Sequence, residues 1–127
     1  MEKISTITES ILLVDDNPTN LQVLFQTLDG VGCKLLVAKN GEMALSITDK
    51  ARPDLILLDI ILPKMDGYQI LSIIRENPEF KNIPVIMLTS KDGIFNKVKG
   101  KVAGSSAYLT KPFDPTQLVE TIERHIE

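Results

Sequence analysis

The sequence is poor in residues that crosslink a protein or anchor it in a membrane. One of its 127 residues is a cysteine, Cys33, so no intrachain disulfide can form and a reducing compartment is expected. There is no cluster of histidine and cysteine that would bind zinc. No apolar run approaches the ~20 residues that cross a bilayer, and the polar N-terminus lacks the apolar core of a signal peptide. These absences predict a cytoplasmic protein without membrane insertion.

A strong charge imbalance is also missing. The net charge is −3, with 14 basic and 17 acidic residues, which gives no overall attraction to nucleic acid or to an anionic membrane. The sequence contains no P-loop, no glycine-rich nucleotide motif, and no serine or cysteine nucleophile motif, so a nucleotide-dependent enzyme is disfavoured. The length fits one domain, predicted over residues 10–127 after a short tail at 1–9.

Short apolar runs alternate with amphipathic stretches along the whole chain. Five runs are predicted as strands, at 11–14, 35–38, 55–58, 85–88 and 107–110. Five helices are predicted between and after them, the fourth being weak because Gly93, Gly100 and Gly104 lie in or beside it. Alternation with short connections predicts βαβ units, right-handed crossovers and a parallel sheet with helices on both faces. The expected class is therefore α/β.

The helices are predicted from apolar spacing and from caps. The first begins at Asn17 as N-cap, and the last begins at Asp114, with Gln117 at the spacing of a capping box. Apolar faces are predicted for the first helix (Leu21, Leu24, Phe25, Leu28), the second (Ala44, Leu45, Ile47, Ala51) and the last (Leu118, Val119, Ile122, Ile126).

Polar side chains follow the strands at the ends that a parallel sheet brings to one edge. Asp15 and Asp16 follow the first strand, Asp59 the third, Thr89 the fourth and Lys111 the fifth. Three carboxylates at one edge repel each other, and a divalent cation relieves that repulsion. Oxygen ligands suit Mg²⁺. A cation and a hydroxyl beside the metal suit an oxygen-rich anion such as a phosphoryl group, with a carboxylate as the nucleophile.

Four sequence motifs look like those of the response-regulator receiver domain. They are LVDDN at 13–17, Asp59 followed by LPKMDG at 62–67, LTS at 88–90 and YLTKPF at 108–113, and the match covers about residues 10–127. The resemblance implies a flavodoxin-like three-layer fold, strand order 2-1-3-4-5, and phosphorelay signalling. The stretch 91–104 is similar to receivers of bacterial twitching-motility and phototaxis systems, whereas the first half looks more like receivers attached to hybrid kinases or cyclases.

The resemblance implies a role for each acid at this edge. Asp59 matches the phosphoacceptor. Asp16 matches a direct Mg²⁺ ligand, Asp15 a ligand that acts through water, and the backbone carbonyl of Ile61 the third protein ligand. A solvated set of loop charges is the alternative for the acids and would require three strand ends to be acidic by coincidence.

The resemblance also implies a switch. Thr89 matches the hydroxyl that moves to the phosphoryl group, Lys111 the cation that pairs with it, and Tyr108 the aromatic ring that turns inward when Thr89 moves. Tyr108 as an ordinary half-buried strand aromatic, and Thr89 as a strand-end cap, stay open as alternatives. Pro112 matches the family's frequent cis Lys-Pro bond.

The implied function is a phosphorylation switch without enzymatic activity beyond its own Asp phosphorylation and dephosphorylation. A sensor histidine kinase or His-phosphotransfer protein would donate to Asp59. The surface around the fourth helix, fifth strand and fifth helix would then repack toward an effector protein or domain, with a phosphorylation-dependent dimer as a further expectation. Ile61 and Lys91 predict slow dephosphorylation. The rivals are a pseudo-receiver interaction module that is never phosphorylated and a phosphohydrolase, for which the sequence offers no general acid.

Overall fold

Five parallel strands form one sheet at the centre of the molecule. The computed structural model describes residues 9–29, 32–89, 104–111 and 114–126. The strands are β1 (Ser10–Val14), β2 (Lys34–Ala38), β3 (Leu55–Asp59), β4 (Val85–Thr89) and β5 (Ala107–Thr110), paired in the order β2-β1-β3-β4-β5. All four pairings are parallel. The predicted fold class and strand order are confirmed.

Helices connect the strands and cover the sheet. They are α1 (Pro18–Asp29), α2 (Gly41–Ala51), α3 (Gly67–Glu76) and the C-terminal helix (Pro115–His125). The predicted fourth helix lies outside the described residues. Among the helices of the described part, none has the length and apolar content of a membrane span.

The sheet separates two hydrophobic layers, and β3 takes part in both. Ile56 and Leu58 pack in the layer that includes α2 and α3, while Leu55 and Leu57 pack in the layer of α1 and the C-terminal helix. All four side chains are at most 1% exposed. Burial of each contributes about 1.5–3 kcal/mol. An unbroken apolar run therefore suits a central strand of a parallel sheet, where both faces are covered.

Two of the predicted apolar helix faces are corrected by the structure. Phe25 is 39% exposed, because Leu21, Leu24 and Leu28 fill the stripe of α1 that faces the sheet. In α2, Ala51 is exposed and Thr48 is fully buried in its place. The Thr48 hydroxyl donates a hydrogen bond of 2.7 Å to the carbonyl of Ala44 one turn earlier. That bond satisfies its polar group inside the helix, which makes its burial tolerable.

The capping box lies at a different helix from the predicted one. The Asp66 carboxylate accepts from the N–H of Gln69, and the Gln69 side chain accepts from the N–H of Asp66, both at 2.9 Å. At Asp114 the described cap is a bond from the N–H of Thr116 at 3.1 Å, without the predicted reciprocal bond from Gln117. The box at Asp66 fixes the start of α3 directly behind the carboxyl edge of the sheet.

Candidate functional site

The acids at the carboxyl edge of the sheet lie side by side. Asp59 is the last residue of β3, and Asp15 follows β1, whose Val14 is in register with Leu58. One carboxylate oxygen from each of Asp15, Asp16 and Asp59 lies within 4.8 Å of the other two. Asp15 is fully buried and Asp59 is 6% exposed, whereas Asp16 is exposed to solvent. Three oxygens at this spacing form a cluster that can share one cation.

Backbone contacts hold the buried Asp15 in place. The N–H of Asp15 donates to the carbonyl of Ala38, and the Asp15 carboxylate accepts from the N–H of Asn17 at 2.9 Å. The Asn17 side chain in turn accepts from the N–H groups of Thr19 and Asn20, so it caps α1 as predicted. Asp15 is thereby fixed between a strand end and a helix start.

Lys111 supplies the positive charge of the site. Its ammonium lies 3.2 Å from Asp59 Oδ1 and 3.4 Å from Asp15 Oδ2. A backbone bond of 2.7 Å from the Lys111 N–H to the carbonyl of Thr89 anchors the start of its side chain at the end of β4. Three carboxylates therefore face one described ammonium group, and the cluster keeps an excess of negative charge.

This charge balance changes the protonation of Asp59. Burial, followed by the negative charge of Asp15, raises the pKa of Asp59 from 3.8 to about 6. The ammonium of Lys111 and the N–H of Ile61 oppose that rise, since both favour the carboxylate. Lys111 therefore compensates the negative charge of the cluster only in part.

A cavity of about 210 Å³ opens above Asp59. Thr89, which is 3% exposed, and Lys111 line it together with Asp59, as the sequence pattern predicted. Ile61 also lines it, although 73% of that residue is exposed. Sequence reasoning missed Asn20, which lines the cavity one helical turn after the N-cap of α1. Its position three residues after Asn17, on the same side of the first helical turn, was the sequence signal that could have placed it at the cavity.

The loop after Asp59 is shaped by a close backbone approach at Gly67. The N–H of Gly67 donates to the carbonyl of Ile60 at 2.8 Å. A Cβ at this position would lie 2.6 Å from the carbonyl oxygen of Asp59 and 2.9 Å from Cα of Ile60. Glycine is therefore needed here because backbone, which cannot move aside cheaply, occupies the space.

We expect Gly67→Ala to lower the free energy of unfolding by about 1–3 kcal/mol, since it forces the Asp59 loop outward. Gly41→Ala is the matched control, as Gly41 also begins a helix and meets side-chain atoms of Ile70 and Met65 instead. Urea unfolding of both variants measures the difference. Equal losses in the two variants would contradict the account of the loop.

Tyr108 contacts a residue that the sequence did not single out. Its hydroxyl lies 3.3 Å from that of Tyr68 in α3. Tyr68, which is 6% exposed, belongs to the hydrophobic layer that includes α2 and α3, and the Tyr108 ring packs against that layer. The remaining residues with predicted roles, Lys91 and Pro112, lie outside the described part of the chain.

The donor set fits a hard divalent cation. It consists of carboxylate oxygens, with Asp16 open to solvent and the other two acids buried. Mg²⁺ is bound by a few carboxylates while it keeps several waters, and the exposed side of this cluster leaves room for them. The raised pKa of Asp59 points the same way, because burial and, after it, the negative charge of Asp15 disfavour the carboxylate, which a nearby cation would favour.

Comparison with known proteins agrees with this geometry. The family model described as the response regulator receiver domain matches residues 11–123. Protein PilG of Pseudomonas aeruginosa is 41% identical over 91% of this chain and 86% of its own length, and Protein PilH of the same organism is 39% identical over 88% and 93%. The receiver domain of the sensor histidine kinase PA1611, also from Pseudomonas aeruginosa, superimposes with a TM-score of 0.86 at 32% identity, covering 94% of this chain and 98% of that one. That crystal structure holds a magnesium ion coordinated in its active-site cleft.

Proposed function

Because the chain belongs to the response regulator receiver domain family, we propose that Asp59 is the residue through which it works as a phosphoacceptor switch. Receiver domains are switches of this kind and not conventional enzymes. The observation that carries the proposal is the position of Asp59, a buried carboxylate on the central strand that faces a cavity beside an ammonium group. The donor would be a phosphorylated histidine of a sensor kinase or phosphotransfer protein.

The cluster of Asp15, Asp16 and Asp59 would hold Mg²⁺, with the backbone carbonyl of Ile61 as a further ligand. The magnesium ion, when bound, supplies positive charge that reduces repulsion between the acids and an incoming phosphoryl group. The PA1611 receiver, with magnesium in its cleft, supports this assignment. The exposure of Asp16 leaves that side of the cluster accessible to hydrated ions.

In the proposed reaction an oxygen of Asp59 attacks the phosphorus of phosphohistidine. An oxygen–phosphorus bond forms, the nitrogen–phosphorus bond breaks, and the electron pair leaves with the imidazole nitrogen. Lys111 balances the charge of the phosphoryl oxygens, and the hydroxyl of Thr89 donates a hydrogen bond to one of them. These groups act by position and charge, which is the main requirement of phosphoryl transfer. The self-catalysed character of both gain and loss of the group belongs to the proposal.

The response would spread from Thr89 and Lys111 to β5 and the C-terminal helix, and to the predicted fourth helix. An effector protein or domain would read this surface, and phosphorylation-dependent dimerisation remains a prediction. We also propose residues 10–127 as the receiver domain and 1–9 as a tail, which the family match over residues 11–123 supports. The cytoplasmic location and the slow dephosphorylation remain predictions from the sequence.

A direct test is to incubate the protein with Mg²⁺ and a small phosphodonor and to measure its intact mass. We expect a gain of one phosphoryl group that does not occur when a chelator removes the Mg²⁺ before the phosphodonor is added. An unchanged mass would favour the pseudo-receiver alternative. The complete set of acids and Lys111 around the cavity argues against that alternative, since an interaction module needs none of them.

A further inference from the structure

The hydroxyl groups of two tyrosines meet behind the site. Tyr68 lies in the first turn of α3 and is 6% exposed, and its hydroxyl lies 3.3 Å from that of Tyr108 on β5. The hydroxyl of buried Tyr68 is stabilised by hydrogen bonding, so its contact with the hydroxyl of half-buried Tyr108 favours this position of the Tyr108 ring. Burial and the neighbouring Tyr108 hydroxyl raise the pKa of Tyr68, which keeps its phenol protonated and able to donate.

Tyr108 is connected to the cavity through the pairing of β4 and β5. Met87 is in register with Tyr108, and Thr89 with Thr110. Because side chains alternate along a strand, Tyr108 and Thr89 project from the same face of the sheet as diagonal neighbours. Lys111 follows three residues after Tyr108 on the same chain segment. Displacement of the Tyr108 ring therefore affects the space beside Thr89.

Tyr68 is connected to the cavity from the other side. It follows Gly67, whose N–H is bonded to the carbonyl of Ile60, the residue after Asp59. Gly67 also lies next to the methyl group of Met87. A Cβ added at Gly67 would be 3.2 Å from that methyl group. The hydroxyl pair thus bridges the loop behind Asp59 and the strand that leads to Lys111.

We propose that Tyr68 is a positioning residue of the switch, whose hydroxyl holds the ring of Tyr108 inward in the arrangement that accompanies phosphorylation of Asp59. This inference rests on the proposed function, which it deepens. A hydroxyl pair with a purely structural role would affect the free energy of unfolding and leave the response of the site unchanged. Coupling between the pair and the site is therefore what has to be measured.

The composition of the chain makes that measurement direct. Tyr68 and Tyr108 are its two tyrosines, and it has no tryptophan, so intrinsic fluorescence reports on this pair alone. Beryllofluoride with Mg²⁺, a mimic of the phosphoryl group, is titrated into the wild-type protein and into Tyr68→Phe, in which Tyr108 is the remaining fluorophore. We expect Tyr68→Phe to weaken apparent beryllofluoride affinity about two- to tenfold, the range that loss of one net hydrogen bond allows.

Three further variants separate coupling from structure. Tyr108→Phe should weaken the affinity by a similar factor. The double variant keeps no tyrosine, so its affinity, with that of the wild-type protein for reference, is measured by calorimetry. It should lose little more than either single variant, because each hydroxyl acts through the other. Thr48→Val removes a buried hydroxyl from α2, and should lower the free energy of unfolding without changing the affinity.

The possible results distinguish failure of the role of Tyr68 from failure of the proposed function. Wild-type affinity in Tyr68→Phe, or losses that multiply in the double variant, would overturn the role of Tyr68 and leave the proposed function intact. A wild-type protein that shows neither a beryllofluoride response nor a phosphodonor-dependent mass gain would overturn the proposed function, and the coupling with it.

Discussion

Asp59→Asn is expected to abolish phosphorylation by a small phosphodonor. The amide fills nearly the same space as the carboxylate, but it has no negatively charged oxygen to form the bond to phosphorus. It also removes one ligand of the predicted magnesium site. Intact mass spectrometry after incubation with Mg²⁺ and phosphodonor measures the result, and we expect the mass of the variant to stay unchanged while the wild-type protein gains one phosphoryl group.

Asp54→Asn is the matched control for this experiment. Asp54 precedes the same strand at its opposite end, where its carboxylate accepts hydrogen bonds from the N–H and the hydroxyl of Ser10 at 2.8 and 3.3 Å. This variant loses an aspartate without touching the site, and it should be phosphorylated like the wild-type protein. Phosphorylation of Asp59→Asn at the wild-type level would place the acceptor elsewhere in the chain.

Asp59→Asn is also expected to stabilise the metal-free protein at pH 8. The pKa of Asp59 is raised in the folded state to about 6 from an ordinary value of 3.8, so the folded protein binds this proton more tightly than the unfolded chain does. Ionised Asp59 therefore costs folding free energy in full above pH 6, and the cost declines as the pH falls through 6 and is lost below 3.8. By linkage, its magnitude is on the order of 1–3 kcal/mol. Urea unfolding in chelator should show Asp59→Asn more stable than wild type by about this amount.

The dependence of this stability difference on pH and on Mg²⁺ distinguishes loss of the Asp59 charge from a general stabilisation of the fold. At pH 4 most of the difference in free energy of unfolding should be gone, because wild-type Asp59 is then protonated in the folded state and close to its ordinary pKa of 3.8 in the unfolded chain. At pH 8, Mg²⁺ should raise the stability of the wild-type protein and close the gap, since an ion bound to the folded state stabilises it by mass action. A wild-type protein that is the more stable of the two at pH 8 in chelator would contradict the account.

The sheet and the acidic cluster could be predicted because local sequence determines both. An apolar run such as 55–58 needs a strand covered on two faces, and the strand order came from the resemblance to a known family. The carboxyl ends of parallel strands share one edge in any such sheet, so Asp15 and Asp59 had to approach each other. The pKa of Asp59 depends on how deeply the site is buried and on the separation from Asp15, and no sequence pattern encodes either.

The contacts that sequence reasoning missed are those set by packing between distant elements. The sequence around Gly67 predicts a turn. Its closeness to the backbone of Asp59 arises only when α3 packs behind β3. Tyr68 and Tyr108 are separated by 40 positions, and neither carries a signal that they meet. Phe25 has the spacing of a core residue, yet it lies outside the stripe that three leucines already fill.

We propose that the acids at the sheet edge share one magnesium ion and that Asp59 is among its ligands. Calorimetric titration of Mg²⁺ into the protein at pH 6 and pH 8, each in two buffers of different ionisation enthalpy, tests it most directly. With the pKa of Asp59 near 6, saturable binding of one ion should release about half a proton at pH 6 and almost none at pH 8. Absence of saturable binding, or heats at pH 6 that do not depend on the buffer, would contradict the claim.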